Sequence, residues 1–144
     1  AGSVGVPAAG SLGLLNQLLS AGFLPLISSI GSNAEGRLLN VNADQAATVI
    51  AELMGGDLLL LSNVDGVLDG DKQLILELDQ PRLDEEVAKG VIKDGMLVKV
   101  AAARQAATEL AKPVTIANWS AELTARLDNQ TGTRVIPASQ TSGV

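Results

Sequence analysis

The chain predicts an α/β fold, a three-layer sandwich around a mostly parallel central sheet. Three observations carry that expectation. Short apolar runs of strand length alternate with longer runs of helical period. Asp57 to Asn63 encloses four consecutive leucines between polar residues, the pattern of a strand buried on both faces in a parallel sheet. The apolar content, 47% of 144 residues, is almost wholly aliphatic and suffices for one domain with a substantial core.

The elements follow in order. Residues 1–11, rich in Gly, Ala and Ser, read as a loop or an entering strand. Ser11 is placed to cap a helix carrying Leu12, Leu14, Leu15, Leu18 and Leu19, with Gly22 past its end. Phe23 to Ile27 has strand length, Ser28 to Ser32 reads as a small-residue turn, and Glu35-Gly36 marks a hairpin leading to Leu38-Leu39. After Asn42, Ala46, Val49, Ile50 and Leu53 recur at helical spacing until Gly55-Gly56. The leucine strand comes next, then turns at Asp65-Gly66 and Asp69-Gly70, then a strand from Gln73 to Leu78 with Leu74, Leu76 and Leu78 alternating. A short helix is expected over Leu83 to Val91, with Asp84-Glu85-Glu86 at its start. A longer helix opens at Asp94-Gly95 and runs to about Lys112, closed by Pro113. Pro113 to Ala117 reads as a strand, Ser120 to Leu127 as a helix and Arg134 to Ile136 as a last strand. Residues 1–137 are taken as one lobe and 138–144 as a frayed tail.

Composition narrows the chemistry. The net charge is −6, from 16 acidic and 10 basic residues, a field that repels nucleic acid and anionic membranes. Phe23 and Trp119 are the only aromatics, too few for stacking on single-stranded bases. No apolar run reaches the ~20 residues of a membrane span, and no basic segment precedes an apolar one as in a signal peptide. There is no Cys and no His, which removes thiol nucleophiles, Ser-His-Asp triads, zinc fingers and disulfides. A chain without cysteine fits the cytoplasm. Chemistry must use carboxylates, Lys, Arg, amides, backbone dipoles or a hard cation such as Mg²⁺.

Three places carry such groups. Asn40-Val41-Asn42-Ala43-Asp44 sets two amides and a carboxylate before a helix, either as an N-cap with Asn42 and Asp44 or as an ion-organising site at the positive end of a dipole. Asn63-Val64-Asp65-Gly66-Val67-Leu68 leaves the leucine strand, where backbone groups beside a glycine can approach a nucleotide; the alternative is an ordinary Asp-Gly turn. Lys99 sits between Val98 and Val100 near a helix start, within reach of a phosphate or as a lysine whose stem covers apolar surface. Trp119 is read as a half-buried loop anchor, and Arg37, Lys72, Arg104 and Arg126 as solvated surface. The loops at Ser28–Gly31, Asn63–Leu68 and Ala117–Trp119 are expected on one rim, beyond the carboxyl ends of strands.

The order of these blocks resembles the amino-acid kinase family, within it the acetylglutamate kinases. The resemblance rests on Gly2-Ser3-Val4-Gly5, on Gly22 to Gly31 with its Ser-Ser-Ile-Gly end, on Glu35-Gly36, and on Asn40 to Asp44. It continues through Ser62 to Leu68, Asp94-Gly95-Met96-Leu97-Val98-Lys99 and Gly132-Thr133-Arg134-Val135-Ile136, nearly the whole chain. It implies ATP-dependent phosphorylation of the side-chain carboxylate of N-acetyl-L-glutamate, with Mg²⁺ accompanying ATP and no metal site of the protein's own. Asn40 matches a substrate-binding position, Asp44 a carboxylate that organises two catalytic lysines, and Lys99 the lysine on the nucleotide side. Asn63, Val64, Asp65, Gly66, Val67 and Leu68 match the nucleotide loop, and Val91, Ile92 and Lys93 a second ATP-contacting segment. Asn63 stands where the family often has Asp and Lys93 where it often has Thr; backbone contacts survive both changes, whereas side-chain contacts to ATP are put in question. No Lys-x-Gly-Gly strand end and no Gly-Gly-Gly loop occur. The chain therefore resembles the C-terminal, ATP-binding lobe alone. Its expected partners are ATP and ADP, the substrate, a missing N-terminal lobe and, in a full-length protein, further copies. The alternative reading is a non-catalytic effector-binding module of the same superfamily.

Overall fold

A computed structural model describes residues 4–5, 12–120 and 131–138. The elements run β1 (Val4–Gly5), α1 (Gly13–Ser20), β2 (Ile30–Ser32), β3 (Leu38–Val41), α2 (Ala43–Met54), β4 (Leu59–Ser62), β5 (Glu77–Leu78), α3 (Gln80–Ala88), α4 (Asp94–Leu110), β6 (Val114–Asn118) and β7 (Thr133–Val135). The α/β class is as expected, and three of the five strand pairings, β1 with β3, β4 with β6 and β5 with β7, are parallel. The strands form two sheets, of order β1-β3-β2 and β4-β6-β7-β5. The chain divides into two compact units, residues 1–56 and 57–144, with one sheet in each.

In the first unit β2 and β3 form the hairpin that Glu35-Gly36 announces: Asn33 N–H and carbonyl bond Arg37 and Gly36, and Gly36 takes φ +77°. β2 begins inside the segment expected to be a turn. The strand expected at Phe23 to Ile27 does not form. No backbone hydrogen bond joins Leu24 to Ser28 to any described residue. A strand is defined by its neighbours, and this run has none among the described residues. Its side chains stand open on both faces: Phe23 is 63% exposed, Leu24 84%, Leu26 92% and Ile27 55%. α1 starts from Leu12 with no side-chain cap, and Ser11 lies outside the described residues. α2 ends as its Gly55-Gly56 pair predicts, with Gly55 left-handed at φ 63°.

The second unit holds every buried apolar side chain among the described residues except Ala51. Val114, Ile116 and Ala117 of β6 and Val100, Ala103 and Ala107 of α4 are fully buried, because β6 pairs on both edges while α4 covers it. The small side chains of α4 let a helix lie close on the sheet. Among the described residues β4 pairs with β6 alone, at the edge of its sheet, and its leucines are not buried on both faces: Leu61 is exposed. The strand expected over Gln73 to Leu78 shrinks to Glu77–Leu78. Leu74 makes one isolated bridge to Leu68, and Leu76 is exposed where Leu78 is buried. α3 starts at Gln80, capped by the Asp79 carboxylate on Arg82 N–H with Pro81 in the first turn, so Asp84-Glu85-Glu86 falls mid-helix rather than at its start. The expected helix over Ser120 to Leu127 lies mostly outside the described residues. No helix among those described is long and apolar enough to cross a membrane.

Candidate nucleotide site

β4 and β6 run parallel in the register Leu59↔Thr115 to Ser62↔Asn118, so both strands deliver their following residues to one end of the sheet. Trp119 N–H donates to Ser62 carbonyl at 2.9 Å, fastening the two exits together. The Asn118 amide donates to Asp65 Oδ1 at 2.8 Å, while its own oxygen accepts from Ser120 N–H and Oγ. The loops after β4 and β6 thus share one rim, as expected. Ser28–Gly31 belongs to the first unit and runs into β2, which starts at Ile30, instead of following a strand. Trp119 is 65% exposed, not half-buried: its backbone is fixed and its ring is not.

The loop itself is set by Gly66 and Val67. Gly66 has φ +150°, and a Cβ there would lie 2.6 Å from Thr133 Oγ1 and 2.7 Å from Leu74 Cδ1. Only glycine fits. The buried Val67 N–H donates to Thr133 Oγ1 at 2.7 Å, and Val67 carbonyl accepts from Ile75 N–H at 2.8 Å.

A second segment faces this loop. Val91 and Ile92 N–H both donate to Glu86 carbonyl, at 2.9 and 3.2 Å, closing the end of α3. Asn63, Val64, Asp65, Gly66 and Leu68 then share with Val91, Ile92 and Met96 one cavity of about 430 Å³. Two stretches some 25 residues apart in sequence are its walls. Val67 is fully buried behind it, and Lys93 is exposed and does not line it. Lys93 opens α4 without a side-chain cap, so first-turn N–H groups point outward from that helix end. Lys99 lies three residues after Met96 on the same helix face. Half-buried, it donates to Ser62 Oγ, and Ser62 Oγ donates in turn to Asn63 Oδ1 at 3.3 Å. The free surface lysine is therefore not what is found.

The remaining candidates belong to the first unit. Asn40 ends exposed on β3, and Asn42 caps α2, its Oδ1 accepting from Asp44 N–H at 3.0 Å and Gln45 N–H at 3.1 Å. The cap consumes the N–H groups that an anion would need. The Asp44 carboxylate is exposed, and its carbonyl accepts from Thr48 Oγ1 at 2.7 Å. A larger hollow of about 620 Å³ in this unit is lined by Leu12, Leu15, Leu39, Val49, Leu53 and their neighbours, with no charged side chain. Its polar lining is limited to the uncharged Ser28, Ser29, Ser32 and Asn33 beside backbone groups. Sequence reasoning passed over Ser62, Met96, Asn118 and Thr133, which act through partners 33 to 66 positions away, beyond the reach of local pattern.

Residues 2–118 match the model of the amino acid kinase family. Acetylglutamate kinase of Pectobacterium carotovorum subsp. carotovorum (strain PC1) is 56% identical over 118 residues, 82% of this chain and 46% of that protein. Acetylglutamate kinase of Serratia proteamaculans (strain 568) is 55% identical over the same shares. The chain thus spans about half the length of these relatives. Among solved structures, N-acetylglutamate synthase from Neisseria gonorrhoeae, complexed with coenzyme A and L-arginine, superposes with TM-score 0.74 at 22% identity, covering 94% of this chain and 32% of that one. Carbamate kinase from Giardia lamblia bound to AMP-PNP gives TM-score 0.58 at 20% identity, covering 88% and 44%. At those identities the likeness is one of fold. The family match, extending over most of the chain, and the high identity to acetylglutamate kinases place this chain in the amino acid kinase family.

Proposed function

We propose that this chain is the ATP-binding half of a kinase that phosphorylates the side-chain carboxylate of N-acetyl-L-glutamate. The observation that carries the reading is the single cavity walled by Asn63–Leu68 and Val91–Ile92, with Lys99 anchored at the strand end beside it. The high identity to proteins named acetylglutamate kinase supports the reaction.

The chemistry suits a chain without histidine. The attacking carboxylate is already ionised at neutral pH, so no base is required. Two anions must meet in line while charge gathers on the transferred oxygens, and a fixed ammonium lowers that barrier electrostatically. Lys99 fills this role. By the family resemblance Asn40 takes a substrate-binding role and Asp44 that of a catalytic carboxylate. Mg²⁺ is taken to enter with ATP as the MgATP substrate. The half lacking here carries the other lysine and most substrate contacts.

Titration of the 144-residue chain with ATP and AMP, followed by Trp119 fluorescence, is expected to show binding of both with ATP preferred. Coupled ADP release is expected to stay near background. Turnover matching an intact kinase would refute the half-site reading, and absence of any nucleotide binding would refute the site. In a full-length context, Lys99→Ala is expected to abolish turnover while keeping most ATP affinity; unchanged turnover would favour the effector-binding module.

A further inference from the structure

The cationic side chains of the second unit differ in what holds them. Arg82 meets Glu86, Glu85 and Asp69; Lys89 meets Glu85 and Glu86; Lys112 meets Asp57; Arg134 meets Glu77. Each is partly neutralised by carboxylate. Lys99 is held instead by a neutral hydroxyl, that of Ser62, and among the described residues of its own unit no carboxylate lies within 4 Å of it. A hydroxyl fixes the direction of an ammonium without cancelling its charge, whereas a carboxylate does both.

Ser62 is itself unusually well fixed. It is the last residue of β4, paired in register with Asn118, and its carbonyl accepts from Trp119 N–H. Its hydroxyl spends its proton on Asn63 Oδ1, so its lone pairs face Lys99. Asn63 lines the cavity. The order is therefore cavity wall, hydroxyl, ammonium. We infer that Ser62 is a positioning residue: it aims the Lys99 ammonium at the polyphosphate of a bound nucleotide. This rests on the reading of the cavity as an ATP site.

The test compares ATP with AMP by calorimetric titration of the whole chain, since only ATP presents the distal phosphates. Ser62→Ala is expected to lower the ATP-to-AMP affinity ratio about tenfold, the size of one charge-assisted hydrogen bond, with AMP affinity within about twofold of the parent. Ser62→Thr keeps the ratio, because the hydroxyl remains. A structural defect alone would weaken both nucleotides together. An unchanged ratio in Ser62→Ala overturns the inference. If the parent chain binds neither nucleotide, the ATP-site reading fails and the inference with it. If Ser62→Ala unfolds, the Lys99 NH₃⁺ resonance of the unliganded parent chain decides: slowed exchange with water supports the bond, and free exchange overturns it.

Discussion

A single hydroxyl at position 133 shows how little separates an ordered loop from a loose one. Thr133 Oγ1 takes the buried Val67 N–H, and Gly66 is the residue that lets the backbone come that close. Thr133→Val keeps the shape and removes the acceptor, leaving an N–H buried and unpaired. It is expected to cost about 1–3 kcal/mol in urea unfolding. A loss well under 0.5 kcal/mol would mean that another acceptor already serves Val67. The bond spans 66 positions, which explains why sequence reading missed it. Asn63 to Leu68 and Val91-Ile92 were legible because a family's order of blocks marks them. Their partners Ser62, Asn118 and Thr133 were not, because sheet register chooses them.

At the scale of elements, α3 is the most instructive departure. Its acidic cluster looked like a helix start, yet Asp79 followed by Pro81 is the stronger start signal and wins. The shift of register drives Glu86 inward. It is 1% exposed, Arg82 and Lys89 reach its Oε1 at 3.1 and 3.6 Å, and Oε2 finds no partner. Its neighbour Glu85 is exposed, and its hydrogen bond and charge contact with Lys89 hold its carboxyl below the ordinary carboxylate value. Only the Glu86 backbone carbonyl serves the cavity, by holding Val91 and Ile92. Glu86→Met is therefore expected to be between neutral and about 2 kcal/mol more stable, since a buried ion pair with an orphaned oxygen is replaced by apolar volume while Arg82 and Lys89 stay solvated. Thermal unfolding measures this; destabilisation by about 3 kcal/mol or more would show that the pair is worth its burial. The Phe23 to Ile27 segment makes the opposite point. Its local pattern is that of a strand, and pattern alone cannot supply the neighbours that a strand requires.

Across the whole molecule, apolar exposure is uneven. Of the 26 charged side chains, none precedes Glu35, so the uncovered run from Phe23 to Ile30 has no charge to discourage contact with a like surface. The 144-residue chain is expected to self-associate as its concentration rises, and Leu24→Asp with Leu26→Asp to shift it toward monomer in sedimentation velocity. A parent chain that stays monomeric throughout would show that this segment is protected after all. The fold class was legible at this scale because alternation of strand and helix is a property of the whole string.

The concentration of buried side chains beyond residue 57 also governs how the molecule comes apart. Amides along β6 lie between two partner strands under α4, so they exchange with deuterium only when that assembly opens. β3 also lies between two strands, but its side chains are exposed or half-buried, so its amides are released by a smaller opening. A protease would accordingly find its first cuts before Gly56 and leave behind a resistant remnant that still holds the cavity.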